Sequence, residues 1–205
     1  MKNSLFCVLI FVAFFLASCG NSDNSATSSS NDNMGQFTDS RDGQTYKTVT
    51  IGTQTWMAQN LNYEMENSFC GDDGCAKFGR YYKWEAAMNA CPSGWHLPTM
   101  DEFETLFTAV GDPSTVGLKL KSTSGWNDYN GNSGNGTDDY SFSALPVGYR
   151  GSSEYGEGYN RVYFWSSTEH NSSYAYSMDL NYYSDLAYLD NDFKYNGFSV
   201  RCVKD

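Results

Sequence analysis

The sequence predicts one domain that mixes helices and strands, with two helices in its first half and most of its strands in its second half. Apolar side chains recur at helical spacing over residues 84–91 and again over residues 103–110. Residues 174–182 instead alternate large apolar side chains with small or polar ones, which indicates a strand with one buried face. Residues 122–140 are rich in Gly, Asn, Ser and Asp, so a long loop separates the two halves.

The folded part opens with two predicted strands. Residues Tyr46–Ile51 alternate in polarity, Gly52 and Thr53 supply a turn, and Thr55–Ala58 forms the second strand. A Gly-rich loop over residues 64–79 then leads to the helices.

Two helices are predicted next. The first covers Tyr82–Ala90 and ends at the Pro-Ser-Gly turn that starts at Pro92. The second begins after Thr99, which forms a capping box with Glu102 because a hydroxyl and an acid three positions later satisfy each other's backbone amides. Gly111 is its predicted end.

The remaining predicted elements are strands. Each is an apolar or alternating run bounded by turn residues. They are Phe142–Val147, Val162–Ser166, Tyr174–Leu180 and Phe198–Val203, with a less regular one near Leu186–Leu189.

The N-terminus predicts an exported lipoprotein. Lys2 precedes an apolar run, Leu5–Leu16, that is too short to span a bilayer and typical of a signal peptide. The order Leu-Ala-Ser-Cys that ends at Cys19 resembles the site where bacterial lipoprotein processing acylates a cysteine. Residues 1–18 are therefore predicted to be a signal peptide and Cys19 to carry lipid. An ordinary secretory peptide cut near Ser18 is the alternative.

The predicted domain organisation follows from this reading. Residues 19–36 contain mostly Ser, Asn and Asp, so they are expected to form a flexible tether, and residues 37–205 form the domain. The expected location is the cell envelope, with the lipid anchor in the outer membrane and its face left open. The membrane is thus one expected partner, reached through the anchor.

The charge excludes one class of partner. The chain has 24 Asp and Glu residues against 13 Lys and Arg residues, a net charge of −11. Nucleic acid binding requires a cationic surface, so nucleic acid is not an expected partner. An acidic, soluble surface accounts for the charge.

Four cysteines lie in the predicted domain, and four cysteines allow three pairings. We favour Cys70 with Cys75, which closes a short loop, and Cys91 with Cys202, which ties the first helix to the last strand. A zinc site is the alternative, but the spacing is poor for zinc and exported proteins favour disulfides.

Several segments together resemble one bacterial family. They are Gly79–Ala87, Ala90–Thr99, Phe142–Arg150, Phe164–Glu169 and Gly197–Val203. In these segments the chain looks like the Fibrobacter succinogenes major paralogous domain, which is found in bacterial surface and secreted proteins. The resemblance covers about residues 46–204.

A more distant likeness is to the folds of C-type lectins and formylglycine-generating enzymes. It implies an α+β, C-type-lectin-like architecture, in which two early helices flank a small twisted antiparallel sheet with long Gly/Asn-rich loops. The bridge between Cys91 and Cys202 would match the long disulfide of lectins.

No catalytic residue is predicted, and the protein is expected not to be an enzyme. Formylglycine-generating enzymes use a cysteine pair on late strands, whereas this chain has only Cys202 there. His96 is expected to be a structural residue, and His170 is expected to be exposed. Asp138 and Asp139 are adjacent, so their side chains diverge in an extended segment and do not form the carboxylate pair of a glycosidase.

A calcium site is a candidate in the long loop, and no other cofactor is expected. Hard oxygen ligands on a flexible loop suit Ca²⁺. Asp128, Asn130, Asn132 and Asp139 fall at positions 1, 3, 5 and 12 of an EF-hand-like loop. Ser133 occupies the sixth position, where glycine is usual. Asn and Asp also serve turns, which is the alternative.

Aromatic residues crowd the middle loops and are candidate ligand-binding residues. A tyrosine combines a flat apolar face with a hydroxyl, which suits sugar rings and protein partners. The candidates are Trp126, Tyr129, Tyr140, Tyr149, Tyr155 and Tyr159. Packing into the core is the alternative for each of them.

The predicted function is therefore non-catalytic binding by a lipid-anchored domain, with carbohydrate or another envelope component as its ligand. The alternative is a structural or assembly protein of the cell surface with protein partners. The identity of the ligand and the oligomeric state are left open by the sequence.

Overall fold

A computed structural model describes residues 33–71, 74–152 and 154–205. The predicted signal peptide, Cys19 and the tether up to residue 32 lie outside these residues. No helix in the described ranges has both the length and the apolar composition needed to cross a membrane. The first described element is a strand that starts at Met34, within the segment that the sequence assigned to the tether.

Most elements of the described chain are short strands. In chain order they are β1 (Met34–Thr38), β2 (Thr45–Ile51), β3 (Gln54–Met57), β4 (Ser68–Phe69), β5 (Tyr81–Lys83), β6 (Trp95–His96), β7 (Tyr149–Arg150), β8 (Tyr155–Gly156), β9 (Arg161–Glu169), β10 (Tyr174–Asn181), β11 (Ala187–Phe193), β12 (Gly197–Phe198) and β13 (Val203–Lys204).

The helices are few and short. They are α1 (Cys75–Phe78), α2 (Trp84–Ala87), α3 (Met100–Val110) and α4 (Val116–Leu120), with a 3-10 turn at Pro113–Thr115 before α4. The predicted capping box is confirmed at the start of α3, where the side chains and backbone amides of Thr99 and Glu102 bond reciprocally. Gly111 ends this helix with φ of 104°, a conformation that favours glycine.

The strands form three antiparallel sheets. The first has the order β1-β2-β3-β13-β6, the second β11-β10-β9, and the third β4-β5-β12-β7-β8. The C-terminal strand β13 thus pairs with β3 and β6, which joins the two ends of the described chain in one sheet. Helices and antiparallel sheets together give a small, sheet-rich α+β domain.

Strand β9 separates two apolar clusters. Its side chains alternate between the two faces, as in any strand. Val162 and Phe164 pack into a cluster with Trp56 and Phe103, while Trp165 packs into a second cluster with Phe198.

The two favoured disulfide pairings are present. Cys70 bonds to Cys75, with Cα atoms 4.8 Å apart, and Cys91 bonds to Cys202, with Cα atoms 5.9 Å apart. The second bridge joins the segment after α2 to the residue before β13 across 111 positions.

The first predicted helix is wrong over most of its length. Tyr82 lies in β5, whose neighbours are β4 and β12, and only Trp84–Ala87 forms a helical turn. The backbone carbonyl of Tyr82 accepts a hydrogen bond from the Trp165 indole, so tertiary contacts hold this residue extended.

The strand predicted at Phe142–Val147 is also absent. Ser143 has a positive φ of 52°, which interrupts an extended chain, and side chains take the carbonyls that a strand would use. The guanidinium of Arg201 bonds to the carbonyls of Phe142 and Ser143, and the indole of Trp126 bonds to that of Ala144.

The strand predicted at Phe198–Val203 is divided. Gly197–Phe198 belongs to the third sheet and Val203–Lys204 to the first, because the chain between them passes from one sheet to the other. In residues 33–71, 74–152 and 154–205, the predicted single small sheet with two flanking helices is therefore replaced by three sheets and one helix of more than two turns.

Candidate functional site

A cavity of about 450 Å³, called the cleft below, opens between the second and third sheets. Strands β9 and β11 form one side of it, and β7 and β12 form the other. Its aromatic lining consists of Tyr149, Tyr163, Phe193, Tyr195 and Phe198. Its polar lining includes Ser152, Glu154, Glu157, Arg161, Asp192 and Asn196.

Strand alternation brings the polar groups of the second sheet to the cleft. Tyr163 lies directly opposite Asp179 on β10, and Asp192 lies opposite Ala175. Directly opposed residues share a face of a sheet. The other face of β9 and β10 packs into the first apolar cluster, so the sheet has one apolar and one partly polar face.

An ion pair fixes the cation of the cleft. Arg161 donates to both carboxylate oxygens of Asp179, at 3.3 Å from Nε and 2.5 Å from Nη2. Burial raises the pKa of Asp179 more than the contact with Arg161 lowers it. Burial opposes protonation of Arg161, but its bonds to Asp179 outweigh this and raise the pKa of Arg161. The guanidinium is thus held in one orientation.

The carboxylate of Asp192 is fixed in a similar way. The hydroxyl of Ser177 donates to Asp192 Oδ2 at 2.6 Å. Burial raises the pKa of Asp192, and this effect exceeds the lowering by the bond from Ser177. The nearby Asp190 adds to the rise in the pKa of Asp192, and Arg161 opposes it.

Aromatic rings form the base and one rim of the cleft. Tyr163 and Phe198 are buried and stack with centroids 4.6 Å apart, and Tyr149 meets Tyr163 edge-on at 5.7 Å. At the rim, Phe193 and Tyr195 stack at 4.9 Å, and Tyr195 is 52% exposed. The cleft therefore offers both ring faces and fixed polar atoms to a ligand.

The comparisons with known proteins follow this geometry. The profile of the Fibrobacter succinogenes major domain matches residues 49–204. The chain belongs to this family. The matched segment runs from within β2 into β13 and contains every residue that lines the cleft. No significant match was found among curated proteins or among solved structures.

One residue that we predicted to bind ligand is buried in this Fibrobacter succinogenes major domain. Trp126 is only 5% exposed, and its Nε1 donates to Ser122 Oγ at 3.1 Å and to the Ala144 carbonyl at 3.2 Å. Its ring packs in the first apolar cluster, so the predicted role of Trp126 is corrected to that of a core residue.

The predicted tyrosines are spread over different places. Tyr149 lines the cleft, whereas Tyr140 packs against the core and donates to the Val110 carbonyl at 3.1 Å. Tyr155 and Tyr159 line a smaller cavity of about 130 Å³ near the Cys70–Cys75 loop. Tyr129 lines a further cavity with Tyr182 and Tyr183.

The predicted calcium ligands are not brought to one place. Asn132 lines the same cavity as Tyr129, while Asp139 lines another cavity beside β1 and β2. Asp128 and Asn130 are exposed, with φ of 50° at Asn130 in a tight turn. Within the described ranges, no three His, Cys, Asp or Glu side chains are grouped as metal ligands would be. Turn formation explains these residues better.

The sequence did not point to most residues of the cleft. Arg161, Asp192, Tyr195 and Asn196 come from β9, β11 and the turn after β11. Arg161 lies just before the predicted strand Val162–Ser166, and no spacing signal in the sequence relates Arg161 or Tyr163 to Asp192. Only the antiparallel register of the second sheet brings these side chains together.

Proposed function

We propose that the domain binds carbohydrate, without catalysis, in the cleft between the second and third sheets. One observation carries the proposal: exposed aromatic rings and fixed polar side chains line the same open cavity of about 450 Å³. Ligand sites of small molecules have volumes of roughly 300–1,000 Å³, so the cleft is large enough for sugar units.

The chemistry of a sugar matches this lining. A pyranose ring has faces made of C–H groups and a rim of hydroxyls. Tyrosine rings pack well against the apolar faces, and their own hydroxyls remain free to meet polar groups. Arg161, Asp192 and Asn196 present donors and acceptors to the hydroxyl rim.

Preorganisation further supports a binding role. The bonds from Arg161 to Asp179 and from Ser177 to Asp192 hold two charged groups before any ligand arrives. Groups that are already fixed lose less conformational entropy when a ligand binds. Weakly binding neutral ligands such as sugars benefit most from that saving.

The proposed setting is the bacterial envelope. We propose that residues 1–18 direct export and that lipid on Cys19 anchors the domain, because more than one acyl chain gives stable attachment. The two disulfides agree with an oxidising compartment. The C-type-lectin-like relationship belongs to the same proposal, since such folds commonly serve recognition.

The test is a binding experiment with defined oligosaccharides. The soluble domain is titrated with cellotriose, xylotriose and chitotriose by isothermal calorimetry, after a screen on a glycan array. Tyr195→Ala is expected to weaken binding by about 5- to 30-fold, since one aromatic contact contributes roughly 1–2 kcal/mol. Asp192→Asn, which keeps the shape of the side chain, is expected to weaken it as well.

The matched control is Tyr159→Ala. Tyr159 is 48% exposed, close to the 52% of Tyr195, but it lines the smaller cavity. This variant is expected to bind like the wild type. Equal affinity of the wild type and all three variants would exclude the cleft, and release of shorter sugars during incubation would exclude a non-catalytic role.

A structural or assembly role is the second candidate. Strand β11 lies at the edge of its sheet, where unpaired backbone groups can pair with a strand of another protein. Co-purification of an envelope protein at a fixed ratio, together with no glycan binding by folded domain, would favour this candidate over carbohydrate.

A further inference from the structure

We propose that the domain has a second carbohydrate-binding site, formed by Tyr129, Tyr182, Tyr183 and Asp185. This inference rests on the proposed function, because it assigns the same class of ligand. The four residues line a cavity of about 240 Å³ together with Asn132 and Ser133, and we call it the tyrosine cavity. None of these residues lines the cleft.

The three rings of the tyrosine cavity contact one another. The centroid of Tyr129 lies 5.3 Å from that of Tyr182 and 5.6 Å from that of Tyr183, and the remaining pair is 5.5 Å apart. Tyr129 is 43% exposed and Tyr183 is 51% exposed. Clustered aromatic rings that stay in water are a common mark of a binding surface.

A buried lysine holds the turn that carries two of the rings. Lys121 is 1% exposed, and its ammonium donates to the carbonyls of Asn181 and Ser184, each at 3.1 Å. Burial lowers the pKa of Lys121, although the nearby Asp185 opposes this. Removing an ammonium from water is unfavourable. Two carbonyl bonds on either side of Tyr182 and Tyr183 are therefore a strong fixed point for this turn.

The backbone adds further fixed points. The amide of Tyr182 donates to the Asn160 carbonyl at 2.8 Å, and the amide of Leu118 donates to the Asp185 carbonyl at 3.0 Å. Tyr129 and Asn132 exchange two backbone hydrogen bonds, at 2.8 and 2.9 Å. The rings and the acid thus project from rigid loops, as a preformed site requires.

The lining repeats the chemistry of the cleft on a smaller scale. Exposed ring faces suit the apolar face of one sugar unit, and Asp185 and Asn132 can bond to its hydroxyls. Two sites on one domain give bivalent attachment to a polysaccharide, since the second contact becomes intramolecular once the first is made.

The experiment is calorimetry with whichever of the three trisaccharides binds best in the preceding test, followed by the matching polymer. The wild type is expected to bind two trisaccharides per chain. Tyr183→Ala and Tyr195→Ala, which remove rings of nearly equal exposure, are each expected to leave one site at the wild-type affinity and to weaken the other. Each variant is the control for the other, and Tyr129→Ala is a second test of the tyrosine cavity. Either variant is expected to bind the polymer at least about 10-fold more weakly than the wild type.

The outcomes separate the two proposals. Suppose that the wild type binds one trisaccharide per chain, and that Tyr195→Ala impairs this binding while Tyr183→Ala and Tyr129→Ala do not. This result overturns the second site and leaves the cleft. If the wild type binds one trisaccharide per chain and only the Tyr183 and Tyr129 variants impair this binding, the cleft is overturned and the tyrosine cavity remains. No binding of any trisaccharide by folded wild type overturns both.

Discussion

Replacing Arg201 tests how the loop that follows the long Gly-rich segment is held. Arg201 is 1% exposed and donates to four acceptors. They are Asn60 Oδ1 at 2.7 Å, the Met57 carbonyl at 3.2 Å, the Phe142 carbonyl at 2.5 Å and the Ser143 carbonyl at 3.1 Å. Arg201→Met retains much of the aliphatic stem but leaves these acceptors without their donor.

The expected loss is large. An unsatisfied buried acceptor costs about 1 kcal/mol or more, so four of them lower the free energy of unfolding by about 4 kcal/mol. This is a major part of the roughly 5–15 kcal/mol that stabilises a typical domain. In urea unfolding of the oxidised protein, with a slope of about 2 kcal/mol per molar, the midpoint is expected to fall by about 2 M.

Two further variants complete this test. Arg201→Lys keeps the charge but lacks the planar fork, so it is expected to recover part of the loss. Lys204→Met, at an exposed position nearby in the chain, is expected to change the free energy of unfolding by less than about 0.5 kcal/mol. A midpoint for Arg201→Met within the error of that control would refute the view that these four bonds hold the loop.

Further predictions concern the disulfides and one histidine. Loop entropy gives about 5 kcal/mol for the bridge Cys91–Cys202 and about 2 kcal/mol for the bridge Cys70–Cys75. Replacing both cysteines of the long bridge by alanine should therefore lower the urea midpoint much more than the same replacement in the short bridge. Equal losses would contradict this prediction. Burial opposes protonation of His96, but its hydrogen bonds to two carboxylates outweigh this and raise its pKa. Its stabilising effect is therefore present below the unfolded pKa of about 6.5 and is lost as the pH rises through the raised value. The difference in urea midpoint between wild type and His96→Gln should be larger at about pH 6 than at about pH 9. The difference should be small at both pH values, because the histidine and its two carboxylates are partly exposed. A larger difference at the higher pH would contradict this prediction.

Local signals in the sequence predicted the elements that local contacts determine. The helix after Thr99 depends on its own capping box and on apolar residues on one face, all within a dozen positions. The turn at Gly52 similarly lies between two strands that pair directly. Such elements need little information from the rest of the chain.

Elements decided by distant contacts were mispredicted. The helical spacing that starts at Trp84 extends back over Tyr82, but pairing with β12, more than a hundred positions later, holds Tyr82 in a strand. Phe142–Val147 has strand composition, yet Arg201 and Trp126 bind its carbonyls. These competitors lie too far along the chain to be recognised from the segment itself.

Of the aromatic residues that the sequence singled out, only Tyr149 lies in the cleft. Aromatic residues were expected to bind ligand, and aromatic rings do line the cleft. Nothing in the local sequence, however, distinguishes buried Trp126 from exposed Tyr195. Their exposure depends on which sheets pack together, and that packing is set by contacts between segments far apart in sequence.

The position of β1 has a mechanical consequence. This strand pairs only with β2, and the chain enters it at Met34, opposite Val49 and far from the turn that joins the two strands. A pull on the preceding chain would therefore break the hydrogen bonds between β1 and β2 one after another, starting at Met34. The chain between Cys91 and Cys202 cannot be stretched in this way, because the disulfide joins its two ends. Under tension β1 would therefore detach and lengthen the chain before the cleft is deformed.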